Sequence, residues 1–169
     1  MDAIETIMTR RSIRKYTNEP VSDEAVTILL KAAMNTPSTA NTQPWHFIVI
    51  RDHERLDQIP SFHPHSKMLR QANVAILVCG DPALEMAPGC WPADCAAVTE
   101  NILLAAHAIR LGAVWLGLYP REERIAGIRA LFNIPEPIVP LSLVSIGHPA
   151  EQKPPANRWN ESKIHYDKW

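Results

Sequence analysis

The stretch PADCAAVTENILLAAHAIRL, from Pro92 to Leu111, is the strongest constraint on the fold. Small and aliphatic side chains occupy almost every side of a helix drawn through it. Such a helix has little polar face to give to water, so it must be packed on several sides. Gly112 follows and predicts the helix end. The rest of the chain has to supply the layers that cover it.

The flanking sequence contains them. Residues 2–8 form a short helix behind an Asp2 cap. Ser22 is a good N-cap, and Asp23 and Glu24 suit the positive end of the helix that follows. Val26, Leu29, Leu30 and Ala33 then recur at helical spacing, and Pro37 stops the run. WHFIVIR (45–51), NVAILVCG (73–80), AVWLGLY (113–119) and VPLSLVSIG (139–147) read as strands, the second of them buried on both faces. REERIAGIRALF is a charged amphipathic helix. Helices and strands are interspersed without strict alternation, which predicts an α+β fold in a single domain, 1–169. The end of the chain, HPAEQKPPANRWNESKIHYDKW, is too polar for a core and too aromatic for plain disorder, and reads as an arm, 157–169 at its tip, that wraps over another surface.

The net charge of -1 argues against nucleic acid or an anionic membrane as the main partner. No apolar run approaches the length of a membrane span, and no apolar core precedes the first arginines. Cys79, Cys90 and Cys95 are odd in number and lack a CxxC pair, which disfavours a disulfide framework or structural zinc. A reducing cytoplasm is the expected compartment.

Against that balanced charge, RRSIRKY (10–16) packs four cations into six residues. In an extended chain Arg10, Ser12 and Arg14 point to one side. Arginine forks and a serine hydroxyl match phosphate oxygens, so the run is a candidate phosphate cradle. A solvated turn is the alternative. NTPSTANTQPWHF (35–47) is rich in short hydroxyl and amide side chains. They could bind an edge that both donates and accepts hydrogen bonds, such as a flavin pyrimidine ring, or satisfy their own backbone. Gly117, inside a strand, marks either a close ligand approach or a β-bulge.

Taken in order, RRSIRKYTNEPV, PSTANTQPWHFIVI, AVTENILLAAHAIRLGAVWLGLYP and the stretch from Arg158 to Trp169 resemble the nitroreductase family of FMN-dependent oxidoreductases. The resemblance covers nearly the whole chain. It implies a mixed, mainly antiparallel sheet flanked by helices, in an intertwined homodimer that exchanges C-terminal arms and holds two FMN sites at its interface. It implies that Arg10 and Ser12 hold the FMN phosphate, that Arg11 contributes through its backbone or stem, and that Arg158 is a second phosphate cation. Arg14 would lie near the N1–C2 end of the ring, where reduction places negative charge that a fixed cation stabilises. Pro37, Ser38, Thr39 and Asn41 would approach from the partner chain, with Gln43 partly structural. The backbone of Trp115, Leu116 and Gly117 would face N5. Lys67 falls where some members place a lysine over the pyrimidine end, although the asparagine that precedes it in those members has no counterpart here. The stretch 81–92 is short, as in the compact branch of the family, which implies an open pocket.

The activity implied is hydride transfer from NAD(P)H through flavin N5 to nitroaromatic, quinone or flavin-type acceptors, with ping-pong kinetics and no catalytic side chain. An FMN-storing or sensing module would use the same residues and is the alternative. Other constellations are weaker. His63 and His65 could ligate a metal but have no nearby carboxylate or cysteine in sequence. Cys90 and Cys95 could be redox active or simply buried thiols. Asp94 and Glu100 lie nearly two helical turns apart and do not form an acid–base pair; Glu100 reads as a cap or the partner of a cation. Trp159 and Trp169 read as interface anchors.

Overall fold

The computed structural model describes residues 1 to 169, in the chain order α1 (Ala3–Thr9), α2 (Asp23–Met34), β1 (Trp45–Ile50), α3 (His53–Gln58), β2 (Val74–Gly80), α4 (Trp91–Ala108), β3 (Gly112–Gly117), α5 (Glu122–Phe132) and β4 (Val139–Gly147). Every residue of β2 is buried. Val74, Ile76 and Val78 enter one core, and Ala75, Leu77 and Cys79 enter the other. A strand apolar on both faces needs a helical layer on each side. Helices α2 and α4 supply one layer, through Leu29, Ala33, Val98 and Ile102. Leu56 of α3 and Ile128 of α5 supply the other.

The sheet order is β1-β2-β4-β3, and all three strand pairs are antiparallel. The parallel contribution is an isolated bridge between Ser12 and Ala113. The α+β expectation therefore holds, with β1 and β3 at the sheet edges.

The first two helix starts follow their sequence signals. The Ser22 side chain accepts a hydrogen bond from Ala25 N at 3.1 Å, and Asp2 does the same for Glu5 N at 2.8 Å. Sequence gave no element for 52–72, where α3 and two short 3-10 turns lie. A six-residue helix is too short to show an apolar period.

The long helix differs from expectation in two ways. It ends at Ala108, and the left-handed residue that closes it is Arg110, at φ 66°, rather than Gly112. Gly112 instead opens β3, where an added Cβ would lie 2.7 Å from Ile13. The helix is also bare along one side. Ala93, Ala97 and Ala108 are exposed, so a single chain covers it only in part. Gly117 is not a bulge, since it keeps its register opposite Ser142, and the irregularity lies at Val78/Cys79.

Gly80 tests the packing of the first core. An added Cβ there would overlap the Trp91 ring, which itself stacks edge-on against Tyr119. Gly80→Ala should lower unfolding stability by about 1–3 kcal/mol through overpacking, read as a lower urea midpoint at unchanged slope.

Candidate functional site

Strand β3 is an edge strand, so alternate residues turn their N–H and C=O away from the sheet. Ala113 is one of these, because its carbonyl accepts a hydrogen bond from Ile13 N at 3.0 Å. Trp115 and Gly117 follow with the same phase. The Gly117 carbonyl takes two donors, Arg124 Nη1 at 2.8 Å and His63 Nε2 at 3.1 Å. Between them, no bond from outside the sheet reaches the backbone of Trp115.

A groove of about 470 Å³ runs along this edge. Arg14, Lys67, Trp115, Leu116 and Gly117, all expected at a flavin, line it together. Nothing lies within 4 Å of where a Cβ would stand on Gly117, so the strand is open to a flat group there. Of the two sequence readings of this glycine, the β-bulge is the one the register excludes. Three further lining residues, His63, His65 and Arg124, were not among the expected cofactor contacts.

The remaining cations of RRSIRKY sit just beyond the groove. Arg10 Nε pairs with Glu100 Oε1 at 3.1 Å, so Glu100 is indeed the partner of a cation. Arg11 Nη1 donates to Pro154 O at 2.9 Å, and Lys153 Nζ donates to Ser12 O at 2.7 Å. The run is therefore an extended segment clamped between β3 and the start of the tail, neither a free turn nor a helix. Arg158 is exposed and makes no hydrogen bond within its own chain. Trp159 and Trp169 are 76% and 99% exposed.

Pro37, Ser38, Thr39, Asn41 and Gln43 do not line the groove of their own chain. Their loop is held to the first turns of α4. Thr39 donates from N and Oγ1 to Asp94 Oδ1, at 3.0 and 3.2 Å. Gln43 N donates to Ser38 Oγ at 2.9 Å. Ala40, Asn41 and Gln43 all have left-handed backbones, with φ from 50° to 56°. The loop's polar groups thus partly satisfy its own backbone, yet it keeps a strained shape.

The other sequence candidates have structural partners. Asp94 anchors Thr39 instead of acting with Glu100. Cys79 and Cys95 are buried, and burial pushes both thiols up to about 12, which makes them poor nucleophiles. Cys90 N donates to Glu85 Oε2 at the start of α4. Sequence could not have found the role of His63, because its partner is a backbone carbonyl.

His63 is 1% exposed, and its Nδ1 has no partner. Bonding to a carbonyl places the proton on Nε2. Burial first, then the nearby charge of Arg124, holds the imidazole below its ordinary range, with a smaller push from His65. The unfolded chain therefore protonates first as pH falls. His63's contribution is complete above the ordinary value of about 6.5 and is lost as pH drops below it toward the lowered folded value. His63→Gln retains an amide donor but cannot titrate. Its urea midpoint should fall less steeply than the parent's between about pH 7 and pH 5. His107, held low by burial and then by Arg10, titrates in both proteins and cancels in the comparison.

The sequence model of the nitroreductase family matches residues 7–148. A Methanothermobacter thermautotrophicus protein named as an NADH dehydrogenase/NAD(P)H nitroreductase is 49% identical over all of this chain and 88% of its own length. A crystal structure from Parabacteroides distasonis, described in the same terms, is 38% identical, covers 98% of both chains and superposes with a TM-score of 0.95. A nitroreductase from Desulfovibrio desulfuricans, solved in complex with FMN, is 34% identical with a TM-score of 0.86 and covers 100% of this chain and 99% of its own. With a groove of this composition and likeness over its whole length, the chain belongs to the nitroreductase family.

Proposed function

We propose that this protein is an FMN-dependent NAD(P)H oxidoreductase that works as a homodimer in the cytoplasm. The observation that carries the reading is the groove along β3. It joins a polar strand edge at Trp115, an unobstructed Gly117 and a cationic rim of Arg14 and Lys67. These features suit a flat ring with a polar, electron-accepting edge. Arg14 would stabilise negative charge on the reduced ring, Lys67 would meet its pyrimidine end, and the Trp115–Gly117 backbone would present hydrogen-bonding groups to its N5 edge. Arg10, Arg11 and Ser12, next along the same extended segment, would hold the phosphate with Arg158.

The chemistry that FMN supplies when bound is two-electron transfer, with hydride from NAD(P)H in and hydride to a nitroaromatic, quinone or flavin-type acceptor out, by alternate occupancy of one site. The protein binds and orients the ring and sets the charge around it. No side chain need donate a proton where solvent reaches the open groove. Three unpaired cysteines are compatible with a reducing compartment.

Several features support a second chain. Ile4 and Met8 of α1 are 71% and 67% exposed, and α4 leaves an alanine-rich side bare. Pro37, Ser38, Thr39, Asn41 and Gln43 do not line the β3 groove of their own chain, and Arg158 has no partner there. Two chains would complete both sites, with the tail crossing between them.

Mixing the purified yellow protein with NADH or NADPH without oxygen tests the activity directly. Rapid bleaching is expected, and an added nitroaromatic or quinone should restore the yellow colour. Persistent oxidised flavin with both nucleotides would leave only a binding module.

Deletion of residues 157–169 tests the assembly. A ligand that binds only the dimer stabilises it by mass action. The truncated protein should lose dimer stability and FMN together, and added FMN should partly restore the dimer in sedimentation velocity across a dilution series. A truncated protein that stays dimeric and fully yellow would remove the tail from the site.

A further inference from the structure

We propose that the groove selects acceptors bearing a carboxylate beside a flat ring, and that Arg124 is the residue that reads the carboxylate. The inference rests on reading the groove as the place where substrate meets flavin. Its lining contains Arg14, Lys67 and Arg124, with His63 and His65 beside them, and no aspartate or glutamate. The groove is thus cationic in a chain whose net charge is -1. Elsewhere some cations have carboxylate partners, as Arg10 has Glu100, Arg51 Asp23, Arg55 Asp52 and Arg70 Asp57, while Arg11 and Arg129 bond backbone carbonyls. Arg14, Lys67 and Arg124 have no carboxylate partner.

The three cations are not equivalent. Ser12 faces Ala113 in a parallel bridge, so the same run brings Arg14 alongside Trp115. Arg124 is fixed at Gly117, two residues further along the strand edge, or roughly 7 Å away. Arg14 beside the ring edge, with Lys67 at the pyrimidine end, would balance the charge of a reduced flavin. Arg124, further along, is surplus to that need.

Arg124 is also prepared for the task. It is half-buried, and its Nη1 is tied to the Gly117 carbonyl at 2.8 Å. Its Nε and Nη2 make no hydrogen bond within the chain. The guanidinium is therefore held in place with donors to spare, in the fork geometry that matches a carboxylate. A small aromatic carboxylate could lay its ring against the flavin and direct its anionic end to Arg124. A neutral ring of the same shape would gain only the stacking.

The test is calorimetric titration of the purified holoprotein with benzoate and with benzamide, which share a shape but not a charge. Benzoate should bind about tenfold to a hundredfold more tightly, the range for one charge-assisted hydrogen bond. Arg124→Gln should abolish that preference, read as the ratio of benzoate to benzamide affinity in the same variant. Arg124→Lys keeps the charge and loses the fork, so it should retain only part of the preference. If Arg124→Gln does not fold, the lysine variant decides alone. Equal affinities in the parent, or a full preference in either folded variant, would overturn the assignment. A protein that prefers benzoate through Arg124 but carries no FMN would refute the oxidoreductase reading instead. A yellow, NAD(P)H-reducible protein indifferent to ligand charge would refute only this inference.

Discussion

The outward-facing backbone of β3 is the constraint on which the site depends. An edge strand presents polar groups that no neighbouring strand satisfies, and proteins must cover or spend them. Here the Ala113 carbonyl accepts Ile13 N, which fixes the arginine-rich segment beside the sheet. The Gly117 carbonyl accepts His63 and Arg124, which fixes the loop after α3 and the start of α5. Trp115 lies between the two anchors. The same hydrogen bonds that close the ends of the edge thus bring Arg14, Lys67 and Arg124 around its middle. The groove is the gap left between two satisfied carbonyls.

Helix α4 does the equivalent on the other side. Its apolar residues make it a core element, but its few polar ones hold two other segments, the loop after α2 and the end of α1 with the residue after it. Asp94 binds Thr39, Glu100 binds Arg10, Asn101 binds Thr36, and His107 contacts Thr9. Thr99 bonds Ser142 at 2.8 Å inside the core and ties the helix to β4. Asp94 and Glu100 are six positions apart, a rise of about 9 Å, so the polar loop and the arginine segment are spaced by one rigid rod. A lost polar contact on α4 would therefore displace one of these segments while leaving the apolar core intact.

The four strands and the long helices were legible because each is long enough to show an apolar period or an unbroken apolar run, and Ser22 and Asp2 cap as their types suggest. Arg14, Lys67, Trp115, Leu116 and Gly117 were legible through a resemblance in motif order, and they do line one groove. Other features lacked a local signature. Helix α3 buries little beyond Leu56 within its own span, and nothing in its six residues marks a period. Gly112 looked like a helix stop, but close packing against Ile13 accounts for it, while Arg110 takes the left-handed turn. His63 and Arg124 share a backbone carbonyl, which every residue type offers, so no pattern of side chains could announce their meeting.

The loop 35–47 shows how strain and site geometry go together. Left-handed backbone at a non-glycine residue costs on the order of 1–3 kcal/mol and persists only where its surroundings enforce it. Ala40 and Gln43 both adopt it, and neither has the short polar side chain that makes it easier for Asn41. The enforcing contacts are the paired bonds from Thr39 to Asp94 and the bond from Gln43 N to Ser38 Oγ. Asp94 uses one oxygen for this and leaves the other buried without a partner. A loop needed only to join α2 to β1 would have no reason to keep both the strain and the orphaned oxygen. One required to keep a set shape would, as the proposed completion of a site on a second chain requires.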